Sequence, residues 1–334
     1  METKNVLVTG GAGFMGSWLV DQLLAAGHDV TSVDNLLGGS MRNVNPDSRF
    51  VKADLRRRNE VAPLVKDINT IFHLAAYAAE GQSLFSPISI NEINIGPMNN
   101  LLVETVNNGV ERFVFTSSMA VYGDQKAPFD EELPLRPADP YGAAKAYCEN
   151  VLELFGRNYG FEHVIIRPHN VYGPRQNTAD PYRNVLGIWM NRILRGKPPI
   201  IYGDGTQTRA FSFIEDVIPA IAMAGSSRKA KGQIFNVGSN EVIAINDACR
   251  LLLQVTGSDL KPVHEPSRLG EVKHAYCTTK KAANLLEYRT NHSLIDGLGE
   301  MFKWAKQTGP QEPTYTLPLE ITKGAPSVWV NKLM

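Results

Sequence analysis

The chain has 334 residues, 43% of them apolar, enough for one large core or two modest ones. Its 34 basic and 34 acidic residues balance, which argues against a nucleic-acid groove or a membrane-surface face. Three scattered cysteines without a C-x-x-C pair, and no histidine pair at ligand spacing, argue against a disulfide framework and against a metal site.

NVLVTG (5–10) has the composition of a buried strand, and FMGSWLVDQLLAAG (14–27) places apolar residues at helical spacing and stops at Gly27. DVTSVDN (29–35), RFVKAD (49–54) and TIFHLAA (70–76) read as the next three strands. A helix is expected at about 93–108, a fifth strand at RFVFTSS (112–118), a helix opened by PYGAAK (140–145) and a sixth strand at FEHVIIRP (161–168). Such alternation demands a parallel sheet with helices on both faces. Beyond Pro168 the regularity fades into a turn-rich stretch, the helix VLGIWMNRILRG and the strand PPIIYGDG, with returns to the sheet at about 211–240. From Gly309 a tail carrying Pro310, Pro313, Pro318 and Pro326 reads as extended, without a core of its own. METKNVLVTGG enters a strand at once, leaving no room for a signal peptide. No apolar run approaches the ~20 residues of a membrane helix, so a cytoplasmic protein is expected.

Gly10-Gly11-Ala12-Gly13-Phe14-Met15-Gly16 is a G-x-x-G-x-x-G spacing between the first strand and the first helix. A pyrophosphate needs a tight turn, bare backbone for close approach, and the unpaired N–H groups of a helix N-terminus. Asp34 ends the next strand, 18 residues after Gly16, where it can accept from a ribose hydroxyl and would repel a 2′-phosphate, favouring NAD over NADP. Asp54 and Leu55, ending the third strand, would lie near the adenine, although Asp54 could instead cap the following helix.

A Tyr-x-x-x-Lys spelling occurs three times, at Tyr122–Lys126, Tyr141–Lys145 and Tyr276–Lys280. The first lies in a turn composition and the third in an irregular Thr-rich stretch. Only Tyr141 follows a helix opener, Asp139 as N-cap and Pro140 at the first helical position, so Lys145 shares its face. A free phenol titrates near 10, and a neighbouring ammonium and a charged nicotinamide would both favour the phenolate. Ser118 could offer a further hydroxyl to the same substrate oxygen. His73 and His169 read as packing or hydrogen-bonding residues.

Glycine loop, strand-end serine and helical Tyr-x-x-x-Lys, in this order, resemble the extended short-chain dehydrogenase/reductases, and within them the nucleotide-sugar epimerases and dehydratases. The likeness runs from about residue 4 to 305 and includes TGGAGFMG, HLAA (73–76), RPHNVYGPR (167–175), GDGTQTRAFSFIEDV (203–217) and RLGEVKHAY (268–276). It implies an α/β fold: a Rossmann-type, doubly wound parallel sheet over 1–170, then a smaller mixed substrate-binding lobe over 171–308, then the tail 309–334. Carried over by position, it implies that Gly10, Gly13, Phe14, Met15, Gly16, Asp34, Asn35, Asp54, Leu55, Leu74, Ala75, Ala76, Thr116, Tyr141, Lys145 and Pro168 hold NAD. Ser118, Tyr141 and Lys145 would be catalytic. Asn170, Asn184, Val185, Tyr202, Arg209, Arg268 and Glu271, with Ser118 and Tyr141, would hold the nucleotide sugar. A homodimer built on the helices at about 93–108 and 140–157 is also implied.

Members of this family begin alike, with the tyrosine taking the C4 hydroxyl proton while hydride passes from C4 to NAD. Related dehydratases place Asp-Glu directly after the residue matching Ser118, and decarboxylases keep the Glu. Here Met119 and Ala120 stand there, and neither is a general acid or base. The resemblance therefore implies a UDP-hexose 4-epimerase, with a dehydratase or a glucuronate epimerase as alternatives and other nucleotides open. The carboxylate-holding Thr and Arg of glucuronate enzymes are replaced by Asn170 and Asn177, which favours a neutral hexose. Ala275 aligns with a pocket-limiting tyrosine, so N-acetylhexosamines are candidates too, unless Tyr276 takes that place.

Overall fold

The computed structural model describes residues 4–334. Its first half runs β1 (Asn5–Thr9), α1 (Phe14–Ala25), β2 (Asp29–Asp34), β3 (Arg49–Lys52), α2 (Arg58–Val65), β4 (Thr70–His73), the single turn α3 (Glu80–Ser83), α4 (Pro87–Asn107), β5 (Arg112–Thr116), α5 (Pro140–Tyr159) and β6 (Glu162–Pro168). The second half holds β7 (Val171–Tyr172), α6 (Val185–Leu194), β8 (Ile200–Tyr202), β9 (Thr208–Ala210), β10 (Ser212–Phe213), α7 (Ile214–Ala224), β11 (Gln233–Val237), β12 (Val242–Ala244) and α8 (Ile245–Thr256). It closes with β13 (Val263–Glu265), β14 (His274–Ala275), α9 (Lys280–Leu285), α10 (Leu294–Thr308) and the turn α11 (Ser327–Val330).

Seven strands form one parallel sheet in the order β3-β2-β1-β4-β5-β6-β11. Along β1 the side chains alternate: Val6 and Val8 pack towards α1 and α7, while Leu7 joins Val61, Leu101 and Leu152 of α2, α4 and α5. Both faces are thus covered, which is why the central strands are built around short apolar, β-branched runs. β11 completes the sheet beside β6. The second lobe carries the small sheets β12-β9-β14 and β13-β8.

Chain order reverses between β1 and β4, and in such sheets ligands bind beyond the strand ends at this switch point. The turns after β1 and β4 meet there. A Cβ on Gly10, whose φ is +74°, would lie 2.9 Å from the Ala75 backbone nitrogen.

Two sequence expectations are adjusted. α4 starts at Pro87, not near 93, because Pro87 opens the helix at its first turn and Ile90 and Asn94 already face inward. The tail is irregular apart from α11, but some of its apolar residues are buried against the body: Val328, Trp329 and Met334 join Phe85 and Tyr182 in one cluster. No helix among the described residues is long and apolar enough to cross a membrane.

Candidate active site

The glycine loop, the ends of β4 and β5, the start of α5 and the second lobe enclose one cavity at the switch point. Every residue assigned above to cofactor, catalysis or substrate lines it, from Gly10 and Asp34 at one end to Arg209, Arg268 and Glu271 at the other.

At the glycine-loop end, Asp34 accepts from Ala12 N (3.1 Å) and Leu36 N (2.7 Å), which fixes its carboxylate across the loop. Gly13 N donates to Gly10 O (2.9 Å), forming the turn. A Cβ on Gly16 would drive into Gly10 O and lie 2.7 Å from the Gly10 carbonyl carbon, so only glycine lets α1 start this close to the strand. Asp54 caps no helix. Arg56 grips it through N and Nε (both 3.0 Å) and holds its carboxyl below the usual range. The Thr116 hydroxyl is buried on this wall with no partner among the described residues. A bare-backbone cradle at a helix N-terminus, a fixed acid beyond it and an orphaned hydroxyl fit a dinucleotide.

The Tyr141 ring is placed by the start of α5. Asp139 caps it through Gly142 N (2.9 Å), and Gly142 lets it approach so closely that a Cβ there would lie 2.6 Å from Ala120 O. Farther along, the fully buried Glu149 binds Arg167 of β6 (2.6 Å), and Arg167 also donates to the Tyr122 hydroxyl (2.7 Å). Tyr122 is thus a core residue, and Lys126 is exposed. Neither Tyr276 nor Lys280 reaches the cavity. Of the three spellings, only Tyr141–Lys145 faces it.

Lys145 donates to the Thr116 carbonyl (2.8 Å), and its Nζ lies 5.8 Å from the centre of the Tyr141 ring. Burial lowers its pKa to about 8. The expected lowering of the Tyr141 pKa is not produced by the chain itself: burial raises it, the Glu80 carboxylate adds to this, and the Ser118 hydroxyl opposes it. Ser118 accepts from Ala120 N (3.1 Å), which leaves its own O–H free to donate. His73 is buried against Phe115 and bonded to Thr9 Oγ1 (2.7 Å). Burial, aided by Lys145, pushes it down to about 3, so it is no base. His169 is likewise buried, with Nε2 2.9 Å from Ser239 O.

At the far end Glu271 bridges Arg209 Nη2 (3.1 Å) and Arg268 Nε and Nη2 (2.8 and 2.7 Å). Two fixed guanidiniums against one carboxylate leave net positive charge suited to a diphosphate. Glu271 thereby orders the two arginines, in addition to the direct role implied by the sequence.

Four cavity residues escaped the sequence reading. Tyr77 and Arg183 stack at 4.8 Å, with Asp180 bound to both (3.3 and 2.9 Å). They lie in segments without periodicity. Trp329 comes from the tail. Glu80, at the start of α3, is exposed to the cavity, and its carboxylate has no hydrogen-bond or ion-pair partner among the described residues. Burial and the Asp139 carboxylate push it up to about 7, against the pull of Arg209 and Arg268. Asp139 is also raised by burial, but Gly142 N and the Ser83 hydroxyl favour its ionised form, so the proton rests on Glu80. Because ionised Glu80 disfavours the phenolate, replacing Glu80 by Gln should lower the Tyr141 pKa and move the rising limb of the pH–kcat/KM profile to lower pH. An unmoved limb would mean the two groups do not communicate.

The NAD dependent epimerase/dehydratase family matches residues 6–238. A putative UDP-glucose 4-epimerase of Methanocaldococcus jannaschii is 35% identical over 304 residues, 90% of this chain and 98% of that protein. The structure of UDP-glucose 4-epimerase from Thermotoga maritima with UDP-glucose superposes with a TM-score of 0.86 at 34% identity, covering 91% of this chain and 99% of that one. A UDP-N-acetylglucosamine 4-epimerase from Methanobrevibacter ruminantium, in complex with UDP-N-acetylmuramic acid, gives 0.86 at 33% identity over 92% of this chain and 100% of its own. With a switch-point glycine loop, a fixed Asp34 and a Tyr–Lys helix in one cavity, and with relatives matched over almost their whole length, the chain belongs to the NAD dependent epimerase/dehydratase family and uses NAD as its cofactor.

Proposed function

We propose that the protein is a 4-epimerase of a nucleotide sugar, acting on UDP-hexoses and UDP-N-acetylhexosamines. The observation that carries this reading is the joint presence of Tyr141, Ser118 and Lys145 in one cavity with a dinucleotide cradle and the Arg209–Arg268 pair, with Met119 and Ala120 in place of an acid–base pair.

When bound, oxidised NAD supplies a hydride acceptor and a positive ring that favours the phenolate. The glycine loop, Asp34, Asp54 and Lys145 hold and orient it. Arg209 and Arg268 anchor the diphosphate. Ser118 donates to the sugar C4 oxygen, and Tyr141 takes the C4 hydroxyl proton and returns it once the 4-keto sugar has presented its other face. The reaction is redox-neutral overall, so the cofactor is retained.

Ala275, not Tyr276, lines a recess beside the sugar end, together with Met119, Ala120 and Glu80. That favours room for an acetamido group. Glu80 at the same end offers a sugar carboxylate no cation, and its ionised form would repel one, which supports neutral sugars over glucuronate. Glu80 also supports a second reading, elimination of water with Glu80 as the acid. Assembly as a homodimer through α4 and α5 belongs to the proposal: Tyr147 and Leu154 of α5 are 40% and 46% exposed.

The test is incubation with UDP-galactose and, in parallel, UDP-N-acetylgalactosamine without added cofactor, with products resolved by NMR. C4 epimers are expected from both. A stable 4-keto or dehydrated product would replace the epimerase reading with the elimination. Ala275→Tyr should lower kcat/KM for the N-acetyl sugar at least about tenfold relative to the hexose, since filling a recess is a steric exclusion. An unchanged ratio would place the acetamido group elsewhere.

A further inference from the structure

Residues 309–334 are tied to the body along their length. Gln311 N donates to Asn191 Oδ1, and Asn191 Nδ2 donates back to Gln311 O, both at 2.8 Å. Gln82 Nε2 and Ser86 Oγ donate to the Leu317 and Pro318 carbonyls (3.2 and 2.8 Å). Glu320 accepts from Ile88 N and Ser89 N (2.9 and 2.8 Å) in the first turn of α4, where unpaired N–H groups and the helix dipole favour a carboxylate. These ties bring Trp329 and Met334 onto the wall of the cavity.

Trp329 is 1% exposed and meets Phe85, Tyr182 and Tyr202 edge-on, with ring centres 6.0, 5.1 and 6.0 Å away. Its indole Nε1 is buried with no hydrogen-bond partner among the described residues. The Arg268 guanidinium lies 4.8 Å from the centre of the Tyr202 ring and 5.9 Å from that of Trp329. Glu271 holds the same guanidinium from the edge. Arg268 is therefore fixed by one carboxylate and two aromatic rings, one of them supplied by the tail. An aromatic ring at this distance both attracts the cation and keeps water from it.

We propose that Trp329 is a positioning residue for Arg268, which makes the segment 309–334 part of the site for the substrate's diphosphate. The inference rests on the nucleotide-sugar reading above. Met334 and the chain before it act only to seat the indole.

The experiment titrates UDP alone into the NAD-loaded enzyme by calorimetry and measures steady-state kinetics with the nucleotide sugar. It compares wild type, Trp329→Ala and Trp329→Phe. Trp329→Ala should weaken UDP binding and raise KM about tenfold, with kcat within about twofold and NAD content unchanged. Trp329→Phe keeps an aromatic ring and should stay close to wild type. In an Arg268→Ala background, removing the indole should change UDP affinity little further. If Trp329→Ala does not fold, Trp329→Leu keeps apolar volume without the ring and should show the same tenfold loss. Wild-type affinity in the variant lacking the ring, or full additivity with Arg268→Ala, would overturn the positioning role. Failure of the wild type itself to bind UDP, GDP or dTDP would instead remove the nucleotide-sugar reading on which it stands.

Discussion

Tyr141→Phe should reduce kcat by about three orders of magnitude, the middle of the range for removing a positioned acid–base group and equivalent to about 4 kcal/mol in the barrier. The phenol is 4% exposed, sits on the cavity wall, and has the Ser118 hydroxyl beside it and Lys145 on the same helix face. Apart from Glu80, no carboxylate or imidazole of the cavity is placed to take over. His73 and His169 do not line the cavity, Asp34 and Asp54 lie at the glycine-loop end, and Glu271 is occupied by two arginines. The candidate for residual activity is Glu80, and the double change with Glu80→Gln separates the two. The measurement is single-turnover conversion followed by NMR, alongside NAD content and thermal unfolding, both of which should match wild type. A Phe variant retaining more than about a tenth of wild-type turnover would show that Tyr141 is not the proton acceptor.

Gly16→Ala should abolish cofactor retention and lower stability. The added methyl group would strike Gly10 O and come within 3.2 Å of Gly11 Cα, and all of these neighbours are backbone. Backbone cannot rotate away as a side chain can, so either α1 withdraws from the loop or the loop opens. Either movement turns the helix N-terminus away from the pyrophosphate and strains a turn that also carries Asp34 through Ala12 N. Overpacking of this kind costs about 1–3 kcal/mol, a drop of several degrees in Tm. Gly299→Ala in α10 is the control. A Cβ there meets nothing within 4 Å, and the change should stabilise by about 1 kcal/mol through helix propensity. Retention of bound NAD by Gly16→Ala, read from the absorbance of nucleotide released on denaturation, would refute the assigned cradle.

Both predictions depend on residues that were legible because their signals are local. The glycine loop is a strand, a turn and a helix start within one short stretch, and the sheet strands announce themselves by short β-branched, apolar runs, because both faces of a parallel sheet are buried. Tyr141 could be preferred over Tyr122 and Tyr276 from Asp139 and Pro140 alone, since an N-cap and a first-turn proline report on the helix that aligns Tyr and Lys. The start of α4 was misjudged because its first residues, Pro87-Ile88-Ser89-Ile90-Asn91-Glu92, alternate apolar and polar and carry no helical stripe of their own.

The sequence by itself determined the sheet, the cofactor loop, the Tyr–Lys helix and the choice of NAD, each encoded by neighbours in the chain and by backbone constraints of short range. Only the tertiary structure decided that the Glu80 carboxylate lines the same cavity as Tyr141 with no partner among the described residues, and that Ala275 rather than Tyr276 lines the small recess beside Glu80 and Met119. It alone showed that Trp329, more than fifty residues from Arg268 in the chain, lies over that guanidinium. Those arrangements join distant segments, each with an unremarkable local pattern. Burial, ring stacking and the balance of charge in a shared cavity arise only when the segments meet, and no single stretch of sequence carries them.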